Sequence, residues 1–313
     1  MSRPIPGAPP ATLPGGGAIV TVGTFDGVHV GHRDLLARLV ARAAASGLRS
    51  VLVTFQPHPS EVLKPERAPL LLSPGEEKLE LLAETGLDYA AVLPFTRALA
   101  ELTAEEFVDQ VLVPRYGMRE LLIGYDHGFG RDRAGSVDVL RRLGARRGFP
   151  VEVVPPFQLE GGATVSSTAI RHAISGGDLD AAAAALGRRY AVSGRVTHGD
   201  KRGRLLGFPT LNLALASPRK LLPPPGVYAV RAQTPRGAFG GMMNLGPRPT
   251  FGDATLSIEA HLFDADGDLY GDHVRLDFVS RLRDTRRFES ADALVGQLRQ
   301  DAEHARQALA GVR

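Results

Sequence analysis

Short apolar runs alternate with helical segments over residues 18–186. The runs have the length and the β-branched content of buried strands, and they read AIVTVGTF, SVLVTF, DYAAVLPF, ELLIG and VEVVP. Between them, apolar residues recur at every third or fourth position, as on one face of a helix. The first such face comprises Leu35, Leu36, Leu39, Val40 and Ala43. This alternation predicts an α/β domain with a mainly parallel sheet covered by helices.

Residues that favour helix caps mark several helix ends. Gly47 suits the C-terminal cap of the first helix. Ser73 and Glu76, with a proline between them, predict a capping box. Thr103 and Glu106 predict a second one. These positions therefore predict where three of the helices begin or end.

The pattern changes after residue 186. From Tyr190 onward the apolar runs are β-like and are separated by Gly, Pro and Asp turns, which predicts an all-β barrel or sandwich. A last helix is expected from about Ser290 to Leu309. The predicted organisation is a flexible Pro/Gly-rich tail over residues 1–17, an α/β domain over 18–186 and a β domain over 187–313.

Composition narrows the class of protein. The 313 residues are 43% hydrophobic and 23% charged, which is typical of a soluble globular protein of two domains. No apolar run is long enough to span a membrane, and the tail lacks an apolar signal core, so a cytoplasmic protein without a membrane partner is expected. The absence of cysteine excludes disulfides, thiolate metal sites and a cysteine nucleophile. A net charge of +3 is compatible with nucleic acid or with small phosphorylated ligands.

The stretch TVGTFDGVHVGHRDLL, residues 21–36, is the first candidate site. It follows the first predicted strand, and parallel sheets bind ligands beyond the carboxyl ends of their strands. Its glycines and the helix that follows are suited to phosphate. His29 and His32 would supply hydrogen-bond donors or positive charge. The alternative is a glycine turn with two solvated histidines.

A second candidate site lies in VTHGDKRGRLLGFPTLNLAL, residues 196–215. Gly199, Gly203 and Gly207 would permit close approach of a ligand, although a basic loop for RNA is the alternative. Thr210 and Asn212 are two residues apart in an extended segment, so their oxygens face the same side. Neutral oxygens of this kind suit a Mg²⁺ that bridges phosphates.

Four motifs of the first half resemble the FAD synthetase branch of the nucleotidyltransferase superfamily. They are GTFDGVHVGH, which carries the HxGH signature, TFQPHP, the glycine-rich IGYDHGFGRDRAG, and VSSTAIR. The resemblance implies that His29, His32 and Arg171 are catalytic, with Arg171 forking onto the triphosphate; a solvated helix arginine is the alternative. It implies a nucleotide- and phosphate-binding set of Gly23, Thr24, Phe25, Asp26, Gly27, Gly31, Ser166, Ser167 and Thr168.

The same resemblance implies flavin contacts at Asp126 and His58. His58 has the alternative of merely ending a strand. His127 departs from the family, which usually has a phenylalanine at that position. The implied reaction is attack by the FMN phosphate on the α-phosphate of ATP, which yields FAD and pyrophosphate.

The second half resembles the riboflavin kinases, whose PTAN signature reads PTLN here with Leu211 replacing alanine. The resemblance extends over GVYAV, NLGPRPTFG and SIEAHLF and covers nearly the whole domain. It implies metal binding by Thr210 and Asn212, nucleotide binding by the three glycines of the loop, and Glu259 as the catalytic base. Glu259 has the alternative of a solvent-facing strand residue. Arg283 would lie near the flavin, or in a solvated basic turn.

Taken together, the motifs resemble the prokaryotic bifunctional riboflavin kinase/FAD synthetase family. The resemblance implies riboflavin, FMN, FAD, ATP, ADP and pyrophosphate as ligands, Mg²⁺ with the ATP, and no nucleic acid. Two alternatives are that only one module is active, because of Leu211 or His127, and that the chain is a basic RNA-binding protein. The sequence indicates no oligomeric state.

Overall fold

The computed structural model describes residues 16–125, 128–131, 134–198, 206–247, 256–265 and 267–311. Residue contacts divide the chain into two compact units, Met1–Ser167 and Thr168–Arg313. The predicted tail over 1–17 falls outside the described residues except for Gly16 and Gly17. The carbonyl of Gly17 accepts a hydrogen bond from the backbone N–H of Arg49 at 3.2 Å.

The first unit contains a five-stranded parallel sheet, as the alternating pattern predicts. Its strands are β1 (Ala18–Val22), β2 (Arg49–Gln56), β3 (Tyr89–Pro94), β4 (Met118–Gly124) and β5 (Val151–Val154). Their order is β3-β2-β1-β4-β5, so the chain winds outward in one direction from β1 and in the other from β4. The crevice beyond the carboxyl ends of β1 and β4 is therefore the switch point at which such sheets bind ligands.

Helices cover both faces of this sheet. They are α1 (Val30–Ser46), α2 (Pro59–Leu63), α3 (Glu76–Ala83), α4 (Arg97–Glu101), α5 (Ala104–Phe107), α6 (Val113–Tyr116) and α7 (Val137–Arg147), with a 3₁₀ turn at Pro65–Arg67 and a π-helical turn at Val108–Leu112. Along β1, Val20 belongs to one apolar core and Ile19 to another, because successive side chains of a strand point to opposite faces. The second core includes Leu36 and Leu39 of α1, so the helix that follows β1 is held directly against the sheet.

Two of the three predicted helix caps are confirmed. Gly47 is the left-handed C-terminal cap of α1, with φ of 64°, and Thr103 forms a capping box with Glu106 at the start of α5. The capping box predicted at Ser73 is wrong, since Gly75 is the N-cap of α3 and makes no side-chain cap. The Ser73 hydroxyl instead accepts a hydrogen bond from the backbone N–H of Gly27 at 2.8 Å. The Ser73 side chain, which the local pattern predicts to cap the helix, therefore binds a backbone group that is distant in sequence.

The second unit contains a closed antiparallel barrel, as predicted. Its strands are β6 (Ala191–Thr197), β7 (Leu211–Leu215), β8 (Gly226–Thr234), β9 (Gly237–Pro247), β10 (Leu256–Leu262) and β11 (His273–Arg283), in the order β10-β7-β6-β11-β8-β9. The last helix, α10 (Ala291–Ala310), is capped by Ser290 and packs Ala305 against the apolar side chains Met242 and Val279 of the barrel.

Two further helices, α8 (Ser167–Gly176) and α9 (Leu179–Leu186), lie between the sheet and the barrel in sequence. The contact division falls at the start of α8, whereas the sequence predicts a boundary at 186/187. The difference arises because α9 contacts β11 and Gly177 lies beside Pro224. Contacts between distant segments cannot be read from the periodicity of apolar residues along the sequence. The domain boundary at 186/187 stays a prediction. No helix in the described part of the chain combines the length and the apolar character needed to cross a membrane.

Candidate active sites

The turn between β1 and α1, residues 23–29, has an unusual backbone and is called here the β1–α1 turn. Phe25 and Val28 have positive φ angles of 49° and 37°. Such angles are strained for residues other than glycine, and above all for a β-branched one. Gly27 has φ of 83°, and a Cβ there would lie 2.6 Å from Cδ1 of Leu72. The surrounding structure therefore holds this turn in a conformation that the chain would not adopt alone.

Asp26 anchors the turn from below. Its carboxylate is 4% exposed and accepts hydrogen bonds of 3.0 Å from the backbone N–H groups of Leu72 and Ser73. Its carbonyl accepts a hydrogen bond of 3.0 Å from the Ser167 hydroxyl. The carboxylate of Asp26 thus faces backbone donors within the fold, and nucleotide or phosphate binding by this residue stays a prediction.

The buried carboxylate makes Asp26 a test of how the turn is held. We expect Asp26→Asn to lower the free energy of unfolding of the first unit by about 2 kcal/mol, because hydrogen bonds to a charged group each contribute roughly 1.5–3 kcal/mol. Urea unfolding measures the change. Asp34→Asn, which removes an ion pair with Arg38 on the surface of α1, is the matched control, and an Asp26→Asn variant as stable as that control contradicts the anchoring role.

The two predicted histidines lie together at the start of α1. His29 is the N-cap, and its Nδ1 accepts a hydrogen bond of 3.3 Å from the backbone N–H of His32. The two rings stack with centroids 3.6 Å apart, and the ring of Phe25 lies 4.7 Å from that of His32. The structure therefore joins the histidines to the backbone donors of a helix N-terminus, which is the arrangement suited to an anion.

His32 is held in its neutral form. Burial lowers the pKa of His32 well below its usual value, and the Coulombic interactions with His29 and Lys78 lower it further. The Nδ1 of His32 is buried and has no hydrogen-bond partner among the described residues. A neutral imidazole donates through one ring nitrogen and accepts through the other. Of the two roles that the sequence leaves open, the structure favours a hydrogen-bond donor over a fixed positive charge.

Lys78 of α3 lies under the turn and is absent from the sequence prediction. It is 7% exposed, and its Nζ donates to the carbonyls of Phe55 at 3.0 Å and Thr24 at 3.4 Å and to Oγ1 of Thr54 at 3.2 Å. The sequence feature that could have indicated a buried lysine is its position on the apolar face of a helix, one turn before the buried Leu81. Burial of the ammonium lowers the pKa of Lys78 to about 8, against the opposing effect of Asp26.

The other predicted residues of the first half have varied positions. Ser167 begins α8 and reaches the β1–α1 turn through its hydroxyl. Ser166 precedes it, and Thr168 and Arg171 fall in the second unit by contact, so their approach to a phosphate stays a prediction. His58 caps α2, since its Nδ1 accepts a hydrogen bond from the backbone N–H of Ser60 at 3.2 Å, and its contact with flavin stays a prediction.

Of the remaining glycines of the first motif, Gly23 lies in the turn and Gly31 lies at the start of α1. A Cβ at Gly23 would lie 2.8 Å from the ring of Phe25, and one at Gly31 would lie 3.4 Å from the ring of His29. Both positions thus keep the aromatic side chains close to the backbone. Asp126 and His127 lie outside the described residues.

A row of polar residues crosses the barrel and is called here the polar row. Glu259 of β10 pairs with Asn212 of β7 on one side and with Asn244 of β9 on the other, and Asn212 pairs with Thr197 of β6. Directly opposed residues of antiparallel strands project from the same face, with Cβ atoms about 4.5–5.5 Å apart. The register therefore brings the predicted base and one predicted metal ligand together on one face.

Leu211 lies on the other face of the barrel wall. It pairs with Ala260 and is buried, while Thr210 immediately precedes β7. The departure from the family's alanine thus points away from Glu259, as alternation predicts. Asn244 and Thr197 were missed by the sequence prediction, since only the strand register shows that they flank the site.

Arg283 has a structural partner. Its guanidinium donates to both carboxylate oxygens of Asp301 on α10, at 2.6 to 3.1 Å, and to the carbonyl of Asp284 at 2.8 Å. Asp301 is 1% exposed, so this ion pair attaches α10 to β11 from within the unit. The alternative of a solvated basic turn is wrong for Arg283. Contact with flavin stays a prediction.

Breaking this ion pair is expected to loosen the second unit. Asp301→Asn removes one charge and leaves Arg283 facing a neutral acceptor, and the loss of one partner of a buried pair costs roughly 3–5 kcal/mol. Thermal unfolding is the measurement. Glu303→Gln, at an exposed position on the same helix, is expected to leave the midpoint unchanged, and equal midpoints for the two variants would refute the pairing.

The remaining predicted glycines of the second half are only partly described. Gly207 lies in an exposed turn with φ of 80°, while Gly199 and Gly203 lie outside the described residues. Within the described ranges, no group of three or more His, Cys, Asp or Glu residues is arranged to hold a metal ion. The oxygens of Thr210 and Asn212 are of a different kind and fit a cation that brings its own phosphate and water ligands.

Both halves of the chain match known families. The model of the FAD synthetase family matches residues 14–169, and that of the riboflavin kinase family matches residues 186–309. The bifunctional riboflavin kinase/FMN adenylyltransferase of Pseudomonas fluorescens is 40% identical over 291 residues, which cover 93% of this chain and 92% of that protein. The protein of the same description from Escherichia coli K12 is 39% identical over 295 residues, with the same two shares.

Two further proteins are similar to this chain over nearly its whole length. The bifunctional enzyme of Bacillus subtilis 168 is 33% identical over 294 residues, covering 92% of this chain and 91% of that one. A crystal structure from Streptococcus pneumoniae, described as a macrolide-efflux protein, is 32% identical with a TM-score of 0.83, and the match covers 95% of this chain and 98% of that chain.

Proposed function

Since the chain belongs to the family of bifunctional riboflavin kinases/FMN adenylyltransferases, we propose that it converts riboflavin to FMN in its second unit and FMN to FAD in its first. Each step consumes one ATP. The kinase step releases ADP, and the adenylyl transfer releases pyrophosphate. A cytoplasmic location belongs to the same proposal, because both reactions depend on ATP.

In the adenylyl transfer, a phosphate oxygen of FMN forms a bond to the α-phosphorus of ATP while the bond from that phosphorus to the pyrophosphate breaks. The attacking oxygen is already anionic, so no general base is needed. The rate must come from positioning and from donors aimed at the growing negative charge. His29, neutral His32 and the N-terminus of α1 would supply those donors, and Arg171 would add a positive charge.

In the kinase reaction, the ribityl hydroxyl attacks the γ-phosphate and loses its proton. A carboxylate within hydrogen-bond reach is the natural acceptor, and Glu259 has that role in the proposal. The observation that carries the proposal is the register of β10 with β7, which pairs Glu259 with Asn212. Thr210 and Asn212 would hold Mg²⁺, which neutralises phosphate charge when bound.

One assay tests both reactions. Purified protein is incubated with riboflavin and Mg-ATP, and the flavins are resolved by chromatography over time. We expect FMN to appear first and FAD to follow. FMN that never becomes FAD leaves only the kinase, and FAD formed only from supplied FMN leaves only the adenylyltransferase. The GDKRGR loop, on which an RNA-binding alternative rests, lies outside the described residues.

A further inference from the structure

Lys78 occupies a position that the reaction scheme above does not use. Its ammonium joins the carboxyl ends of two neighbouring strands, through the carbonyl of Thr24 after β1 and the carbonyl of Phe55 in β2. The hydroxyl of Thr54 completes the connection, since it accepts from Lys78 and donates to the carbonyl of Thr24 at 3.1 Å. The contact with Thr24 lies in the peptide unit that enters the strained β1–α1 turn.

We propose that Lys78 is a positioning residue for adenylyl transfer, whose ammonium fixes the entry of the β1–α1 turn and so sets where His29 and His32 meet the triphosphate. The proposal rests on the proposed function of the first unit. Lys78 acts on the turn through its hydrogen bond to the carbonyl of Thr24, and the proposal requires no contact between Lys78 and the substrate.

Charge supports the geometry. The titratable groups facing Lys78 are Asp26, on the turn, and His32, on α1, while β2 presents only hydroxyl and carbonyl oxygens. Asp26 stabilises the ammonium, and the ammonium in turn disfavours the charged form of His32. Lys78 thus helps to keep the His32 imidazole neutral and able to accept or donate a hydrogen bond.

A buried lysine is costly, and methionine would fill the same space without that cost. Desolvation brings the pKa of Lys78 to about 8, so the ammonium is present at neutral pH and is lost as the pH rises further. Neutral lysine has one donor fewer and no charge to hold two carbonyls. The lysine of the unfolded chain retains its proton up to a higher pH than Lys78 of the folded chain, so the deprotonation of Lys78 does not by itself destabilise the fold.

The test compares the pH dependence of FAD formation from supplied FMN and Mg-ATP, between about pH 6.5 and about pH 9.5. For the unsubstituted chain we expect kcat to fall as the pH passes about 8. Lys78→Met is expected to have a kcat about tenfold lower at neutral pH, without that fall and with little change in KM. Lys78→Arg keeps the charge at all these pH values, and we expect it to retain most of kcat and to lose the alkaline fall.

Lys64→Met is the matched control, since Lys64 is exposed in the same unit, and its profile should equal that of the unsubstituted chain. FMN formation by each variant reports on the second unit. Should Lys78→Met fail to fold, the profiles of the unsubstituted chain and of Lys78→Arg decide the question.

Three results overturn the role of Lys78. They are a flat profile for the unsubstituted chain, an unchanged kcat in Lys78→Met, and a reduced kcat in Lys78→Met that still falls at the original pH. The last is what a merely structural lysine would produce. A chain that makes no FAD at any pH instead refutes the proposed function, and the role of Lys78 with it.

Discussion

Replacing Glu259 with glutamine is expected to lower FMN formation about 10²–10⁴-fold, while FAD formation from supplied FMN keeps its rate. The ribityl hydroxyl is neutral and must lose its proton as it attacks, and the glutamine amide does not accept that proton. Glutamine has nearly the size and hydrogen-bonding capacity of glutamate, so the polar row should retain its packing. Chromatographic resolution of riboflavin, FMN and FAD measures both rates in one series of samples.

Two further variants serve as controls for Glu259→Gln. Glu303→Gln makes the same chemical change at an exposed position of α10 and should leave both rates intact. Asn244→Ala removes the neighbour of Glu259 on β9 and keeps the carboxylate. Its rate of FMN formation therefore measures the effect of disturbing the polar row without loss of the base. A Glu259→Gln variant that makes FMN at the rate of the unsubstituted chain removes the base assignment.

The double substitution of His29 and His32 by alanine is expected to lower FAD formation by about 10³-fold or more and to leave FMN formation largely intact. Each of the two substitutions removes a side chain at the N-terminus of α1. The loss of one hydrogen-bond donor directed at the transition-state charge typically lowers kcat about 10²–10³-fold. When this variant is supplied with riboflavin and Mg-ATP, FMN should form and accumulate. The readout is the ratio of FAD to FMN at fixed times.

The N-cap requires a second variant. His29 caps α1 through its Nδ1, so alanine also removes a cap contribution of about 1 kcal/mol. Asparagine at position 29 restores a capping side chain without an imidazole, and His29→Asn with His32→Ala should be as inactive as the double alanine variant. Recovery of FAD formation on restoring the cap alone would show that the histidines act through the helix and not on the nucleotide.

Predictions from local pattern succeeded where the cause was local. Strand and helix positions follow from periodicity, and the Thr103–Glu106 box is confirmed because both partners lie within one turn. The box at Ser73 is wrong because its hydroxyl binds the backbone of Gly27, which is 46 residues away. The same cause hid the anchoring of Asp26 to Leu72, since no short-range pattern records which distant amides a carboxylate meets.

The sequence alone determined the α/β and β character of the two halves, the glycine turn with His29 and His32, and the family resemblance that implicates Glu259. The tertiary structure alone decided the strand order, the register that pairs Glu259 with Asn212, and the partners of Lys78. The physical reason is one of range. Periodicity and capping depend on neighbours along the chain, whereas register, burial of a charge and the pKa of a lysine depend on which distant segments pack around it.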